Sequence, residues 1–180
     1  MSADSHPFVI RRLAREEVGS FQAGLPAWNA TEYLLRLDFQ ERGLAVQLVA
    51  WVGDEAVGKA MVVFPGHVEW SPSAYREGCP EIRDLEVSPA WARRGIGTGL
   101  VGAAEAEARS AWFDRIGLGV GLEPSYAAAR ALYEGLGYRF AHGPFVAGAR
   151  LEGDDGRPIP VAGVCLYLVK ELEGAGGQPS

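Results

Sequence analysis

Two arginines run directly into three glycines in the segment SPAWARRGIGTGL. Glycine lets a backbone approach a ligand to hydrogen-bonding distance, and the first-turn amides of a helix have no partner inside that helix. The helix dipole adds positive potential there, and Arg93 and Arg94 can donate charge-assisted hydrogen bonds to phosphate oxygens. Gly95, Gly97 and Gly99 therefore predict an anion-binding turn at the start of a helix. The alternative, in which the glycines serve only close helix–sheet packing, stays open on this pattern alone.

The residues around these glycines narrow the identity of the anion. A nucleoside-triphosphate loop requires Lys followed by Ser or Thr after its glycines, whereas Gly99 is followed by Leu100. The run from Gly97 to Gly102 does satisfy the G-x-G-x-x-G pattern of dinucleotide-binding proteins, and Glu123 lies near where a ribose-binding acid would fall. That pattern normally turns directly from strand to helix, but here a loop intervenes and the unit begins nearly halfway along the chain. A dinucleotide site is therefore the weaker alternative.

The elements that must position this turn follow from the apolar periodicity. Strands are predicted at residues 8–13, 44–52, 56–64, 81–87, 115–122 and 164–172. Two helices are predicted between the first two strands, the second capped by Asn29. Two more follow the glycines, one with Leu100, Ala104, Ala108 and Trp112 at intervals of four and one over residues 126–136. Gly137 is placed to end the last helix. The alternation of strands and helices in the middle of the chain predicts one mixed α/β sheet with helices packed on it.

Composition limits the classes of function. The 180 residues carry 17 Lys and Arg against 23 Asp and Glu, a net charge of −6, which argues against a nucleic-acid partner because phosphate contacts need surplus cations. No apolar run reaches the length of a membrane span and no secretory signal is visible, so no membrane partner and a cytoplasmic location are expected. Cys79 and Cys165 are expected to be reduced thiols, and the three histidines are too scattered to predict a metal site.

The segment from Glu81 to Tyr138 resembles the GNAT superfamily of N-acetyltransferases. LEVSPAWARRGIGTGL is similar to the strand, loop and helix with which that family binds the pyrophosphate and pantetheine of acetyl-CoA. AAARALYEGLGY is similar to its second signature helix, and the two motifs occur in the family's order with a strand between them. The resemblance implies an α/β fold with a single mixed, largely antiparallel central sheet flanked by helices on both faces. It implies one acetyltransferase domain over residues 1–172, with residues 173–180 as a disordered tail.

The resemblance also implies which residues bind acetyl-CoA. Strand residues would pair with the pantetheine arm, the glycine loop would wrap the pyrophosphate, and the start of the second signature helix would add a polar contact. The residues implied are Leu85, Glu86, Val87, Arg93, Arg94, Gly95, Ile96, Gly97, Thr98, Ser125, Tyr126 and Tyr133. Ala92 stands where the family usually has Gln or Arg, and Tyr126 stands where many members have Asn. Arg93 and Ser125 are the expected substitutes for those two contacts.

For the chemistry, the resemblance implies a tyrosine acid and a carboxylate base. In similar enzymes a tyrosine at the position of Tyr133 protonates the departing coenzyme A thiolate, and a phenol with an ordinary pKa of about 10 holds its proton at neutral pH. A carboxylate would take the proton from the amine, directly or through water. Glu81 ranks first because it matches the catalytic Glu of the histone-modifying members, and Glu86 and Asp84 follow. Strand alternation predicts Asp84 and Glu86 on the face of Ile82, with Glu81 on the other face.

The implied reaction is direct attack of an amine on the thioester of acetyl-CoA, through a tetrahedral intermediate. The partner would be a small-molecule or peptide amine, selected by the N-terminal helices and by a loop predicted at residues 145–161. Homodimers are frequent among similar proteins. Two alternatives remain, a catalytically silent acyl-CoA-binding or sensor domain and, with less support, a dinucleotide-binding oxidoreductase.

Overall fold

A computed structural model describes residues 8–25, 30–66, 78–152 and 158–173. The backbone forms one seven-stranded sheet with the strand order β1-β2-β3-β4-β5-β7-β6. The strands are β1 (Val9–Arg12), β2 (Ala45–Val52), β3 (Glu55–Val63), β4 (Glu81–Val87), β5 (Arg115–Gly121), β6 (Arg139–Glu152) and β7 (Pro158–Glu171). The α-helices within these described ranges are α1 (Val18–Gly24), α2 (Ala30–Glu41), α3 (Ile96–Ser110) and α4 (Ala127–Gly135).

The connections between strands explain their directions. Strands β2 and β3 are joined by a tight turn in which Gly53 adopts a φ of 57°, so they pair as an antiparallel hairpin. Helix α3 crosses between β4 and β5, and these two strands are parallel while the other neighbouring pairs are antiparallel. The prediction of a mixed, largely antiparallel sheet is confirmed.

Helices cover both faces of the sheet, as predicted. On the face of α1 and α2, a core cluster joins helix residues such as Phe21 and Leu37 to Val49 of β2. On the other face, α3 and α4 pack on a larger cluster. The intervals of four that predicted helix α3 correspond to its buried stripe at Leu100, Ala104 and Ala108, whereas Trp112, which the prediction included, lies beyond the end of the helix and is exposed. None of the helices in the described ranges is long and apolar enough to cross a membrane.

The C-terminal part of the sheet differs from the prediction. The segment expected as a loop at residues 145–161 belongs largely to β6 and β7, which pair from residues 139 to 152 and from 158 to 169. Prolines and glycines made this stretch look like a loop. They are accommodated because β6 is an edge strand and because the start of β7 pairs with β6 alone, before β5 joins at Cys165. The expected cap at Asn29 and all of the predicted tail at 173–180 except Glu173 lie outside the described residues.

Candidate active site

Strand β4 carries a bulge in the middle of its acidic segment. On β3, Lys59 and Met61 are separated by one residue, whereas their partners on β4, Glu86 and Arg83, are separated by two. One extra residue is therefore inserted into β4. Asp84 lies at this point with a φ of 51°, in the left-handed region that residues other than glycine adopt infrequently.

The bulge brings the acids of β4 onto one face of the sheet. Glu81 and Glu86 lie opposite Val63 and Lys59 of β3, which are four residues apart and therefore share a face. The carboxylate of Asp84 reaches a side chain of α2, so it also points to that face. The face that α1 and α2 cover is thus lined by three carboxylates from a single short strand.

The predicted alternation is correct for Glu81, Ile82 and Arg83, with Ile82 on the opposite face from the other two, but it is wrong for the residues that follow. It placed Asp84 and Glu86 on the face of Ile82. In the structure, Ile82 packs in the core beneath α3, while the three acids lie together on the α2 face. The reason is that an inserted residue reverses the in–out pattern of every side chain that follows it.

Two of these acids are held by buried cations. The Nη2 atom of Arg36 lies 2.7 Å from Oδ2 of Asp84, and the Nζ atom of Lys59 lies 3.1 Å from Oε2 of Glu86. Burial acts to raise the pKa of Asp84, but the charge and hydrogen bond of Arg36, with help from neighbouring cations, hold that pKa below its ordinary value. Burial lowers the pKa of Lys59, although the charges of Glu86 and Asp84 oppose the shift.

Glu81 has a different environment. Its side chain is buried, and its ion pair with Arg83 is longer, with 3.9 Å between Nε and Oε1. Its partner on β5 is Gly117, and the ring of Tyr167 lies so close to Gly117 that a β-carbon there would be 2.6 Å from two ring carbons. Glu81 and the ring of Tyr167 therefore lie on the same face of the sheet. The Glu81–Arg83 ion pair is longer than those of Asp84 and Glu86 given above.

Strands β4 and β5 part soon after they begin to pair. Their register partners are Glu81 with Gly117 and Ile82 with Leu118, and both strands continue beyond these pairs, to Val87 and Gly121. The backbone of β4 past the bulge pairs with β3 on its other side. The parting leaves a cleft between β4 and β5 in which backbone groups can pair with an extended ligand.

The glycine loop lies at the end of this cleft. After a short 3-10 turn at Pro89–Trp91, Arg93 and Gly95 adopt left-handed φ values of 63° and 82°, and α3 begins at Ile96. The loop residues Arg93, Arg94 and Gly95 are exposed, and the guanidinium of Arg94 lies over the ring of Trp91 at 4.7 Å. The amides of the first turn precede the first helical bond, from Gly99 to Gly95. They are free of helical partners and can bind an anion.

Gly97 is the point where the loop, β4 and α4 meet. A β-carbon at this position would lie 3.4 Å from Leu132 of α4 and 3.9 Å from Val87 of β4. The side chains of Leu85 and Val87 pack against the same core cluster as Tyr133. The strand, the loop and the helix in which the sequence predicts cofactor-binding residues therefore converge in space.

Tyr133 is buried beside this junction. Its ring lies edge-on to Tyr138, with 5.9 Å between the centroids, and Tyr138 donates a hydrogen bond to the buried carboxylate of Glu105. Lys170 donates to the same carboxylate at 2.8 Å. Burial raises the pKa of Tyr133 to about 12. A phenol in this state keeps its proton at neutral pH.

Ser125 and Tyr126 are exposed at the end of β5. The ring of Tyr126 lies against Gly121, where a β-carbon would be 2.6 Å from the nearest ring carbon. Arg130 fixes this turn by donating hydrogen bonds to the carbonyl oxygens of Gly121 at 2.6 Å and Glu123 at 3.2 Å. The turn that precedes α4 is therefore held in place next to the cleft.

Sequence reasoning missed the polar cluster beneath the site. Arg36, Gln47 and Lys59 are buried, and Tyr167 covers β5, but none of them was singled out. A signal existed for Lys59, which interrupts the apolar run AVGKAMVVF, and for Arg36, which lies among leucines. Within the described ranges there is no group of three or more His, Cys, Asp or Glu residues that could hold a metal ion, and both cysteines are unbridged.

Comparisons with known proteins agree with this geometry. The family model described as "Acetyltransferase (GNAT) family" matches residues 10–138. No curated protein matches the chain. Among solved structures, yncA of Salmonella typhimurium, solved with its cofactor acetyl-CoA, superimposes with a TM-score of 0.67 at 16% identity, over 97% of this chain and 98% of that one. A ribosomal-protein-alanine N-acetyltransferase from Brucella melitensis gives 0.65 at 18% identity, over 91% and 99%.

An N-acetyltransferase from Staphylococcus aureus gives a TM-score of 0.66 at 13% identity, over 93% of this chain and 99% of that one. At these identities the superpositions establish the fold. The family model covers more than half of the chain and includes the bulged strand, the glycine loop and helix α4. The chain therefore belongs to the acetyltransferase (GNAT) family.

Proposed function

We propose that the protein is an N-acetyltransferase that moves the acetyl group of acetyl-CoA to an amine. The observation that carries this proposal is the convergence at Gly97, where a parted strand pair, an exposed glycine loop and the helix bearing Tyr133 meet. The solved relative yncA contains acetyl-CoA, and the other relatives named above are N-acetyltransferases, which supports the same reading.

The residues present fit acetyl-CoA. The first-turn amides of α3, the exposed loop residues Arg93, Arg94 and Gly95, and the exposed Thr98 in the first turn of α3 suit the pyrophosphate. From Leu85 to Val87, the edge of β4 that faces away from β3 suits the two amides of the pantetheine arm. Ser125 and Tyr126 lie at the end of the neighbouring strand, where they can close over the arm.

Bound acetyl-CoA supplies the thioester, whose carbonyl carbon is attacked by the amine and whose carbon–sulfur bond then breaks. Tyr133 is protonated across the neutral range, because burial raises its pKa. It donates this phenolic proton to the sulfur as the carbon–sulfur bond breaks. Glu81 takes the proton that the amine releases. An amide of β4 near Val87 stabilises the oxyanion of the tetrahedral intermediate.

The choice of Glu81 as base rests on its partners. Asp84 accepts a bond from the buried Arg36 at 2.7 Å, which holds the pKa of Asp84 below its ordinary value and weakens it as a base. Glu86 forms an ion pair with the buried Lys59 at 3.1 Å. Glu81 is buried, and its ion pair with Arg83 is 3.9 Å long, so that of these three ion pairs the one at Glu81 is the longest and competes least with an incoming proton. Glu86, the second candidate in the sequence, is on this reasoning a structural partner of Lys59.

The cofactor part of the proposal is tested by thermal shift with acetyl-CoA, CoA, NADH and ATP at equal concentration. A ligand present at 100 times its Kd adds about 2.7 kcal/mol to the unfolding free energy, which raises the midpoint by several degrees. We expect stabilisation by the two CoA species. Stabilisation by NADH in their place would favour the oxidoreductase alternative. Binding of acetyl-CoA without transfer to any amine would favour the silent binder.

A further inference from the structure

A buried polar cluster joins helix α2 to the bulge of β4. Its centre is Arg36, whose side chain is 9% exposed although it carries a full charge. One guanidinium nitrogen donates to Asp84 at 2.7 Å, and the other lies 3.5 Å from both the side-chain oxygen of Gln47 and the sulfur of Met61. A single side chain of α2 therefore contacts β2, β3 and β4. The reaction proposed above makes no use of it.

The backbone conformation of Asp84 requires support from a contact outside β4. It adopts a left-handed φ of 51° at the point where one residue is inserted into the strand. A side chain with a β-carbon does not favour this conformation, although Asp tolerates it better than most residues. The hydrogen-bonded ion pair with Arg36 holds the carboxylate, and with it the backbone of the bulge.

The strand opposite the bulge is tied to the same cluster. Gln47 donates from its side-chain nitrogen to the carbonyl oxygen of Ala60 at 3.0 Å. Ala60 is the residue of β3 that lies between the register partners Lys59 and Met61, directly across from the inserted residue. Both sides of the bulge are therefore fixed by one network that is anchored in α2.

The bulge determines how the next three residues of β4 are presented. Because the insertion reverses the alternation, it decides which backbone groups of Leu85, Glu86 and Val87 turn toward β3 and which turn toward the cleft. After the bulge, the pairing with β3 resumes at Glu86 and Val87, which leaves the other edge of the strand to the cleft.

We infer that Arg36 is a positioning residue for the acyl-CoA site. Through Asp84 it holds the β4 bulge and so aligns the backbone of Leu85 to Val87 with the pantetheine arm, an assignment that rests on the proposed function. Helix α2, which covers the face of the three acids, is thereby linked to the strand that binds the cofactor.

The test compares Arg36→Met and Arg36→Lys with Arg15→Met. Arg15 is the matched control, because it joins the outer side of α2 through Asp38 and Glu41 and does not contact the bulge. Affinity is measured by calorimetry for CoA and for 3′-phosphoadenosine 5′-diphosphate, which has the pyrophosphate but no pantetheine. Amide hydrogen exchange of the β4 segment 81–87 is measured in the same variants without ligand.

We expect Arg36→Met to weaken CoA binding about tenfold while the affinity for the nucleotide without pantetheine stays within about twofold. Exchange of the β4 amides becomes faster in this variant, Arg36→Lys lies between it and wild type, and Arg15→Met matches wild type. CoA affinity that is unchanged, or an equal loss for both ligands, contradicts the inference. If wild type binds neither ligand, the proposed function is wrong. Amide exchange of β4 that is unchanged in Arg36→Met would separately show that Arg36 does not hold the bulge.

Discussion

The phenol ring of Tyr167 lies directly against the backbone of Gly117, the β5 residue paired with Glu81. A β-carbon on Gly117 would overlap the phenolic oxygen and approach two ring carbons to 2.6 Å, so glycine is required there by space and not by backbone conformation. The position of the Tyr167 ring, on the same face of the sheet as Glu81, therefore depends on the absence of a side chain at Gly117.

Gly117→Ala is expected to destabilise the protein by about 1–3 kcal/mol, because the ring of Tyr167 must move within a packed sheet. Gly119→Ala is the matched control. Its β-carbon would lie 3.4 Å from a ring carbon of Phe145, an ordinary contact, so its unfolding free energy should stay within about 0.5 kcal/mol of wild type. Urea unfolding measures both, and equal effects at the two positions would show that Tyr167 does not restrict Gly117.

We expect Gly95 to be required for CoA binding because of its backbone conformation. Its φ of 82° is left-handed and nothing lies near its missing β-carbon, so Gly95→Ala strains the loop by about 1 kcal/mol without a steric clash. We expect CoA affinity to fall about tenfold, because the loop must deform to keep its amides on the anion.

Gly102→Ala is the control for this change. Gly102 lies within α3 with open space around it, and alanine there should raise stability by about 0.5–1 kcal/mol and leave CoA affinity unchanged. Calorimetric titration with CoA compares the two variants. Wild-type affinity in Gly95→Ala would mean that the glycine loop does not bind the pyrophosphate.

Substitution by Gln can distinguish the proposed role of Glu81 from that of Glu86. Glu81→Gln should lower kcat about 100-fold, because the amide cannot accept the proton of the amine. Glu86→Gln should cost less than about fivefold, since its side-chain oxygen can still accept a bond from Lys59. Initial rates at saturating acetyl-CoA measure both variants, with cofactor affinity as the check on binding. A loss in Glu86→Gln as large as that in Glu81→Gln would contradict the assignment.

The pair of Arg36 and Asp84 should make a pH-dependent contribution to stability. The pKa of Asp84 is below its ordinary value of 3.8 in the folded protein, so the contribution is complete above about pH 4 and is lost as the pH falls through the lower, folded pKa. Asp84→Asn should cost about 2 kcal/mol at pH 7, since it removes the 2.7 Å ion pair of the buried guanidinium of Arg36. Asp38→Asn, at an exposed pair with Arg15, should cost less.

Urea unfolding of wild type and Asp84→Asn at several pH values checks this prediction. The difference in unfolding free energy should be constant from pH 7 to pH 5 and should shrink below about pH 4, where wild type also loses the ionised carboxylate. A difference that does not change down to pH 2.5 would show that the ion pair is not the origin of the effect.

Local patterns were enough to predict most of the sheet and the start of helix α3 after the glycine loop. The turn glycine of the β2–β3 hairpin, the stripe of α3 and the boundaries of β4 are encoded in neighbouring residues, and the structure reproduces them. The bulge could not be predicted in this way, because the insertion at Asp84 is defined by the register between β3 and β4. Since the bulge turns Asp84 and Glu86 away from the face of Ile82, the arrangement of the three acids could not be obtained from alternation.

The buried cluster was missed for a similar reason. Arg36, Gln47 and Asp84 belong to three elements that are distant in sequence, and each alone looks like an ordinary polar residue near an apolar stretch. Strand β6 was missed because its one proline and its glycines are turn formers, which a strand tolerates when it lies at the edge of the sheet.

Tyr133 provides the most direct test of catalysis. Burial raises its pKa to about 12, so it should remain protonated, and kcat should show no decrease from this group between pH 7 and about pH 10. Tyr133→Phe removes the proton donor and keeps the ring that packs against Tyr138. Its effect should therefore be on the chemical step and not on cofactor binding.

The decisive measurement uses mass spectrometry to monitor the formation of acetylated product from acetyl-CoA and a panel of amines. Wild type and Tyr133→Phe are compared at saturating cofactor. Wild type should release one free CoA thiol for each acetamide that it forms. Tyr133→Phe should react about 100-fold more slowly, with acetyl-CoA affinity within about twofold of wild type. Equal rates in the two proteins would contradict the role of Tyr133, and bound acetyl-CoA with no acetamide from any amine would contradict the proposed transfer.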